Sequence, residues 1–146
     1  MSITLFDPQL VILRLKSRVA ALRSIKGAAD LAAAAADGVR QLPAAFVIPL
    51  SESGGAQMAA TQVTQQRLAL SYGVIVVTQN LRDARGEKAL SDLTALRNEI
   101  HDALYGWQPA ADFDPCERGP ARLLQLDNQT LWWQDDFVTR QLIRNI

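Results

Sequence analysis

The chain has 146 residues, 49% hydrophobic and 21% charged, which is the composition of one globular domain and excludes a disordered segment. Fifteen basic and fifteen acidic residues cancel, and no basic stripe gathers that could displace counterions from phosphates. The nearest cluster, Arg14, Lys16, Arg18 and Arg23, reads as a solvated helix face, so neither nucleic-acid nor membrane-surface binding is expected.

A single cysteine, Cys116, cannot build an intrachain disulfide framework. Met1–Phe6 lacks the charged and long apolar regions of a signal peptide, and no apolar run approaches the roughly 20 residues of a membrane-crossing helix. The expectation is a protein kept in a reducing cytoplasm.

Asp7-Pro8 is a helix start, because Asp can accept from free N–H groups and Pro is tolerated in the first turn. Val11, Ile12, Leu15, Val19 and Leu22 follow at helical spacing, predicting an amphipathic helix over Pro8–Arg23. Ala28–Asp37 is a second helix, ended by Gly38. Between Pro43 and Pro49, the run Ala44-Ala45-Phe46-Val47-Ile48 predicts a short strand. Ser51–Ala60, small and Gly-rich, is expected to be a mobile loop.

Thr61–Gln79 alternates, with Leu68, Leu70, Tyr72, Val74 and Val76 on one face. Nineteen extended residues would reach about 60 Å, far beyond an ordinary strand. Either Gly73 breaks the run, or its polar half, Thr61–Arg67, projects as an arm that pairs with another subunit. Asn80–Gly86 is a charge-dense connection. Leu90, Leu93, Leu96, Arg97, Ile100 and Leu104 predict a helix from Glu87 to near Gly106. Pro109–Pro120 is expected to be irregular. Arg122–Leu126 and Leu131–Ile143 form a hairpin across Asp127-Asn128-Gln129, the second strand interrupted near Asp135-Asp136. Helices and strands do not alternate regularly, so the fold class expected is α/β of the α+β kind: an antiparallel or mixed sheet of four to five strands with helices mainly on one face.

Chemistry is sparse. One histidine, His101, and one distant cysteine do not make a zinc set. Ser71, Ser91 and Cys116 have no nucleophile motif around them. Gly54-Gly55 is followed by no Gly-Lys-Ser/Thr, so it is not a phosphate loop. Asp135 and Asp136 are strand neighbours that point to opposite faces, which suits a turn or solvated role better than shared acid–base work. No catalytic residue, metal or cofactor is expected.

Two features point to protein contacts instead. Arg82, Asp83 and Arg85 crowd one connection more densely than surface ion pairs would reward, which suits a patch that docks on another protein and equally local salt bridges that fix the loop or simple solvation. Trp132 and Trp133 are adjacent on a strand, one on each face of the sheet, which suggests core packing for one and an interface for the other. With Thr61, Gln62, Val63, Thr64 and Gln65 of the polar arm, these are the candidate interface residues.

Phe46-Val47-Ile48-Pro49-Leu50, Asn80-Leu81-Arg82-Asp83-Ala84-Arg85-Gly86, Leu104-Tyr105-Gly106-Trp107 and Leu131-Trp132-Trp133-Gln134-Asp135-Asp136-Phe137, in this order and spacing, resemble the tail terminator proteins of long-tailed bacteriophages across nearly the whole chain. The resemblance implies a structural virion protein assembled in the host cytoplasm. Such proteins cap the tail tube as a ring, commonly of six subunits, end tube polymerisation and present the docking surface for the head-side connector. It implies a small α/β domain and no cofactor. Competing expectations are another phage neck protein (head-closure or tail-completion), a small enzyme or ligand-binding domain, and an adaptor that binds one host protein.

Overall fold

A computed structural model describes residues 3–58, 63–80, 87–127 and 129–145. The elements run α1 (Gln9–Arg18), β1 (Ser24–Lys26), α2 (Ala28–Asp37), β2 (Ala44–Gly54), β3 (Thr64–Gln79), α3 (Glu87–Leu104), β4 (Glu117–Leu126) and β5 (Thr130–Asn145). The strands form one mixed sheet in the order β1-β2-β3-β5-β4; β1 and β2 are parallel and every other pair is antiparallel.

α1 starts as expected, the Gln9 N–H donating to Asp7 Oδ1 at 2.9 Å. It stops five residues earlier than the apolar spacing predicts. Val19 leaves helical backbone, yet Val19 and Leu22 stay buried, so the core pattern continues through a turn that is no longer helix. That turn leads into β1, too short and with too little alternation to be seen in sequence. α2 has the predicted bounds, and Gly38 closes it at φ +83°, where a side chain would be strained.

Three strands run through residues expected to interrupt them. β2 continues past Pro49 into Ser51–Gly54, so that segment is sheet rather than loop. The proline is tolerated because β1 covers only Ala44–Phe46, and the register slips by one residue at Leu50. β3 passes unbroken through Gly73. A Cβ there would lie 2.9 Å from Gln134 Nε2 and 3.3 Å from Asp136 Oδ1, so the glycine makes room for side chains of β5 instead of ending β3. β5 carries Asp135 and Asp136 in full register with β3, both buried, which corrects their expected turn or solvated role. β4 opens at Glu117 and contains Pro120, within a register shift on an edge strand.

The sheet is covered on both faces. α1 and α3 pack on one, over Ala45, Val47, Leu70, Tyr72, Val74, Val76, Leu131 and Phe137. On the same face Phe6 stacks on Tyr72, and Tyr72 on Phe137, with ring centroids 5.3 and 5.7 Å apart. α2 lies on the other face with a smaller cluster, Ala44, Phe46, Ile75 and Val77, against which Leu31, Ala34 and Trp132 pack. No residue of α2 is itself buried. Two helices of three therefore share a face, and the α+β reading with a mixed sheet stands.

Candidate interaction surfaces

Trp132 and Trp133 do lie on opposite faces, and each is half-buried. Trp132 lies parallel to Phe46 at 6.3 Å on the α2 face. Its Nε1–H donates to Thr130 Oγ1 at 3.0 Å. With Leu31, Ala34, Ile75 and Leu124 it lines an open groove of about 570 Å³ between α2 and the β4–β5 hairpin. Trp133 packs on the α3 face beneath the Arg97 guanidinium, 4.7 Å from its ring centroid.

Asp135 organises that second side. It is fully buried and takes both arms of Arg97, at 2.9 and 2.8 Å, together with the Trp133 indole N–H at 3.2 Å and Arg118 of β4 at 3.4 Å. Asp136, on the opposite face, accepts from Gln134 Nε2 at 2.7 Å and pairs with Arg122 of β4 at 3.5 Å. Two adjacent carboxylates thus hold the edge strand through two arginines, one from each face of the sheet. The buried, bidentate arginine–carboxylate pair is a structural clamp. These arginines stand apart in sequence from the aspartates, and no spacing rule linked them beforehand.

β4 and β1 are the sheet's two edges. β4 exposes Leu123, Leu124 and Leu126, at 50%, 42% and 54%. Leu123 pairs with Trp133 and Leu126 with Leu131, so both sit on the α3 face, while Leu124 falls in the register shift and lines the groove beside α2. This edge was not singled out in the sequence. The available signal was the run Leu123-Leu124-Gln125-Leu126, which does not alternate and so cannot bury all its leucines on one face.

The described part of the polar arm, Val63–Arg67, runs into the sheet as the start of β3. Val63 lies half-buried just before β3. Thr64 and Gln65 pair with Asn145 and Arg144 of β5. On the other side, Arg67 O accepts from Gly55 N–H and Gln65 O from Met58 N–H, each at 2.7 Å. From Gln65 to Arg67 both backbone edges are therefore used within the chain and offer no free edge to another subunit. What projects is a three-stranded tongue of β2, β3 and β5. Its β5 edge is closed by Asp112, Phe113 and Asp114. Thr61, Gln62, Arg82, Asp83 and Arg85 lie outside the described residues.

The titratable groups left over are packed rather than poised. Tyr72 Oη–H donates to Cys116 Sγ at 3.2 Å inside the core; burial pushes both pKa values up, and the thiol is inert at neutral pH. His101 lies against Phe137, its Nδ1 2.6 Å from Arg97 O. Among the described residues, no three histidine, cysteine or carboxylate side chains gather to hold a metal, and no helix is long and apolar enough to cross a membrane.

A family model described as "Phage tail terminator protein" matches residues 1–146, the full length given. No curated protein matches the chain. The chain belongs to the phage tail terminator family, a family of structural proteins of the bacteriophage tail.

Proposed function

We propose that copies of this chain close into a ring, of six subunits as the resemblance implies, on the head-proximal end of the tail tube. The ring ends tube polymerisation and offers the surface on which the head-side connector protein docks. Its partners are then itself, the tube protein and the connector. The family match over residues 1–146 carries the reading. Physical support comes from the sheet, whose two free edges are unlike, the condition for head-to-tail contacts that close a ring.

The test is tail assembly with and without this chain. Tubes of one set length are expected when it is supplied and over-long, unjoined tubes when it is withheld. Tube lengths indifferent to the chain would overturn the reading. The charge-dense connection at Arg82, Asp83 and Arg85 is proposed as a contact to the tube or the next subunit. The double substitution Arg82→Ala, Arg85→Ala is expected to impair capping while leaving the melting curve unchanged, and normal capping by it would remove that assignment.

A further inference from the structure

The Leu123–Leu126 half of the β4 edge is exposed and apolar, whereas the Glu117–Arg122 half is charged and interrupted by Pro120. Among the described residues nothing pairs with the edge beyond β5. Edges of this kind are normally shortened, charged or covered, because they recruit other strands. From the structure we infer that a second copy of this chain covers it, docking its α1/β1 flank on the α3/β4 flank of its neighbour. The inference deepens the ring reading above and rests on it.

Three observations select this occupant. The first is strand direction. β1 runs with β2, and each later step across the sheet reverses direction, so β1 and β4 run oppositely. A copy placed in the same orientation sets its β1, and the open stretch of β2 beyond it, antiparallel to the neighbour's β4. The sheet then continues without inversion, by strand addition.

The second is apolar matching. On the α1/α3 face the β4 flank shows Leu123 and Leu126, and α3 adds Leu90, two turns before Arg97 on the same side of the helix. The opposite flank shows Leu13, 54% exposed. Arg14 reaches α3 through Ala103 O, Lys16 lies on the side of α1 away from it, and Leu13 points outward, nearly opposite the buried stripe of Val11, Ile12 and Leu15.

The third is charge. Lys16, Arg23 and Lys26 stand on the α1/β1 flank with no ion-pair partner among the described residues. On the β4 flank Arg118 and Arg122 are held by Asp135 and Asp136. Glu117 and Asp127, one just inside and one just beyond the ends of β4, have no cationic partner among the described residues, and the N–H groups of Gln129 and Thr130 hold the Asp127 carboxyl below its ordinary range. A basic flank thus meets a weakly acidic one, and the Asp135 and Asp136 clamps prevent β4 from repelling it.

The experiment uses two full-length variants, Leu123→Glu with Leu126→Glu, and Lys16→Glu with Arg23→Glu and Lys26→Glu. All five positions are exposed, and unchanged circular dichroism and melting curves verify folding. Light scattering across a concentration series is expected to show a discrete assembly for the wild type and the 16.0 kDa monomer for each variant alone. Mixed, the variants retain one intact flank each and should form a one-to-one dimer and nothing larger. Wild-type mass from either variant alone overturns the inference. So does a dimer of the lysine/arginine variant alone, which would mean that β4 pairs with β4, and so does a mixture that stays monomeric. A wild type monomeric at every concentration also overturns self-docking, while the capping role stands or falls separately on tube length.

Discussion

Asp135 is the residue on which most of the edge depends. It is fully buried, and Arg97, 23% exposed at its side chain, has no other anion among the described residues. Asp135→Ala leaves a guanidinium facing apolar surroundings and the Trp133 indole without an acceptor. The loss should be about 2–3 kcal/mol, below the usual cost of breaking a buried pair because Arg97 reaches water. Asp136→Ala, whose arginine is half-exposed and 3.5 Å away but whose Gln134 Nε2 donor is buried, should cost about 1–2 kcal/mol. Urea unfolding of the two variants checks the order, and an Asp136 variant weaker than the Asp135 variant would contradict the clamp. Gly73→Ala belongs with them. Its Cβ would press on Gln134 and Asp136, and overpacking of that kind costs about 1–3 kcal/mol. A melting temperature equal to wild type would mean that Gln134 swings aside freely.

The buried thiol and phenol set a pH limit at the same scale. Cys116 is pushed above its ordinary value of 9.0 and Tyr72 above 10.0, both chiefly by burial. A raised folded pKa means that the folded protein keeps a proton which the unfolded chain loses. The contribution is complete below pH 9 and fades as pH climbs past 9 for Cys116, then past 10 for Tyr72. Urea midpoints measured from pH 7 to 11 should be level and then fall. In Cys116→Ala the decline should begin about one pH unit later, and a variant curve parallel to the wild type would refute that assignment.

At the scale of elements, α2 is the loosest. Its helix was legible because alanine favours helix intrinsically and Gly38 supplies the stop. The same alanines bury almost nothing, so Leu31 and Ala34 alone pack it onto Phe46, Ile75 and Trp132. Leu31→Ala should raise hydrogen exchange of α2 amides at least tenfold while β3 and β5 amides change far less. Equal acceleration in both would mean that α2 unfolds only with the whole domain.

The other elements show where pattern reading stops. The apolar period of α1 continues through a buried turn, so the spacing overstates the helix. Pro49, Gly73 and Asp135-Asp136 are breakers by local chemistry, yet each sits where a neighbour removes the objection: an open edge, a side chain needing space, a pair of arginines. Local propensity cannot register a partner 38 residues away, as Arg97 is from Asp135. The opposed tryptophans were legible because strand alternation is purely local. The leucine edge was missed because exposure depends on which strand ends the sheet, and strand order is not written in periodicity.

At the scale of the whole molecule, equal numbers of acids and bases conceal an uneven distribution. The α1/β1 flank carries unpaired cations, and the β4 flank has its arginines neutralised. Attraction between such flanks is screened, since the Debye length falls from about 10 Å at 0.1 M salt to about 3 Å at 1 M. The leucine contacts respond differently, because excluded salts such as sulfate strengthen apolar burial. Self-association of the intact chain should therefore weaken several-fold between 0.1 and 1 M sodium chloride but persist, and it should recover or exceed its low-salt strength in ammonium sulfate at matched ionic strength. The lysine/arginine-to-glutamate variant, whose new carboxylates would face Glu117 and Asp127, should stay monomeric at 0.1 M salt and show no weakening by chloride, because screening now relieves repulsion. Sedimentation equilibrium across both salt series separates the two contributions. An association indifferent to chloride would remove charge from the interface and leave strand direction and apolar area to select the partner, whereas one abolished by chloride and not restored by sulfate would mean that the exposed leucines of β4 face something other than a second copy.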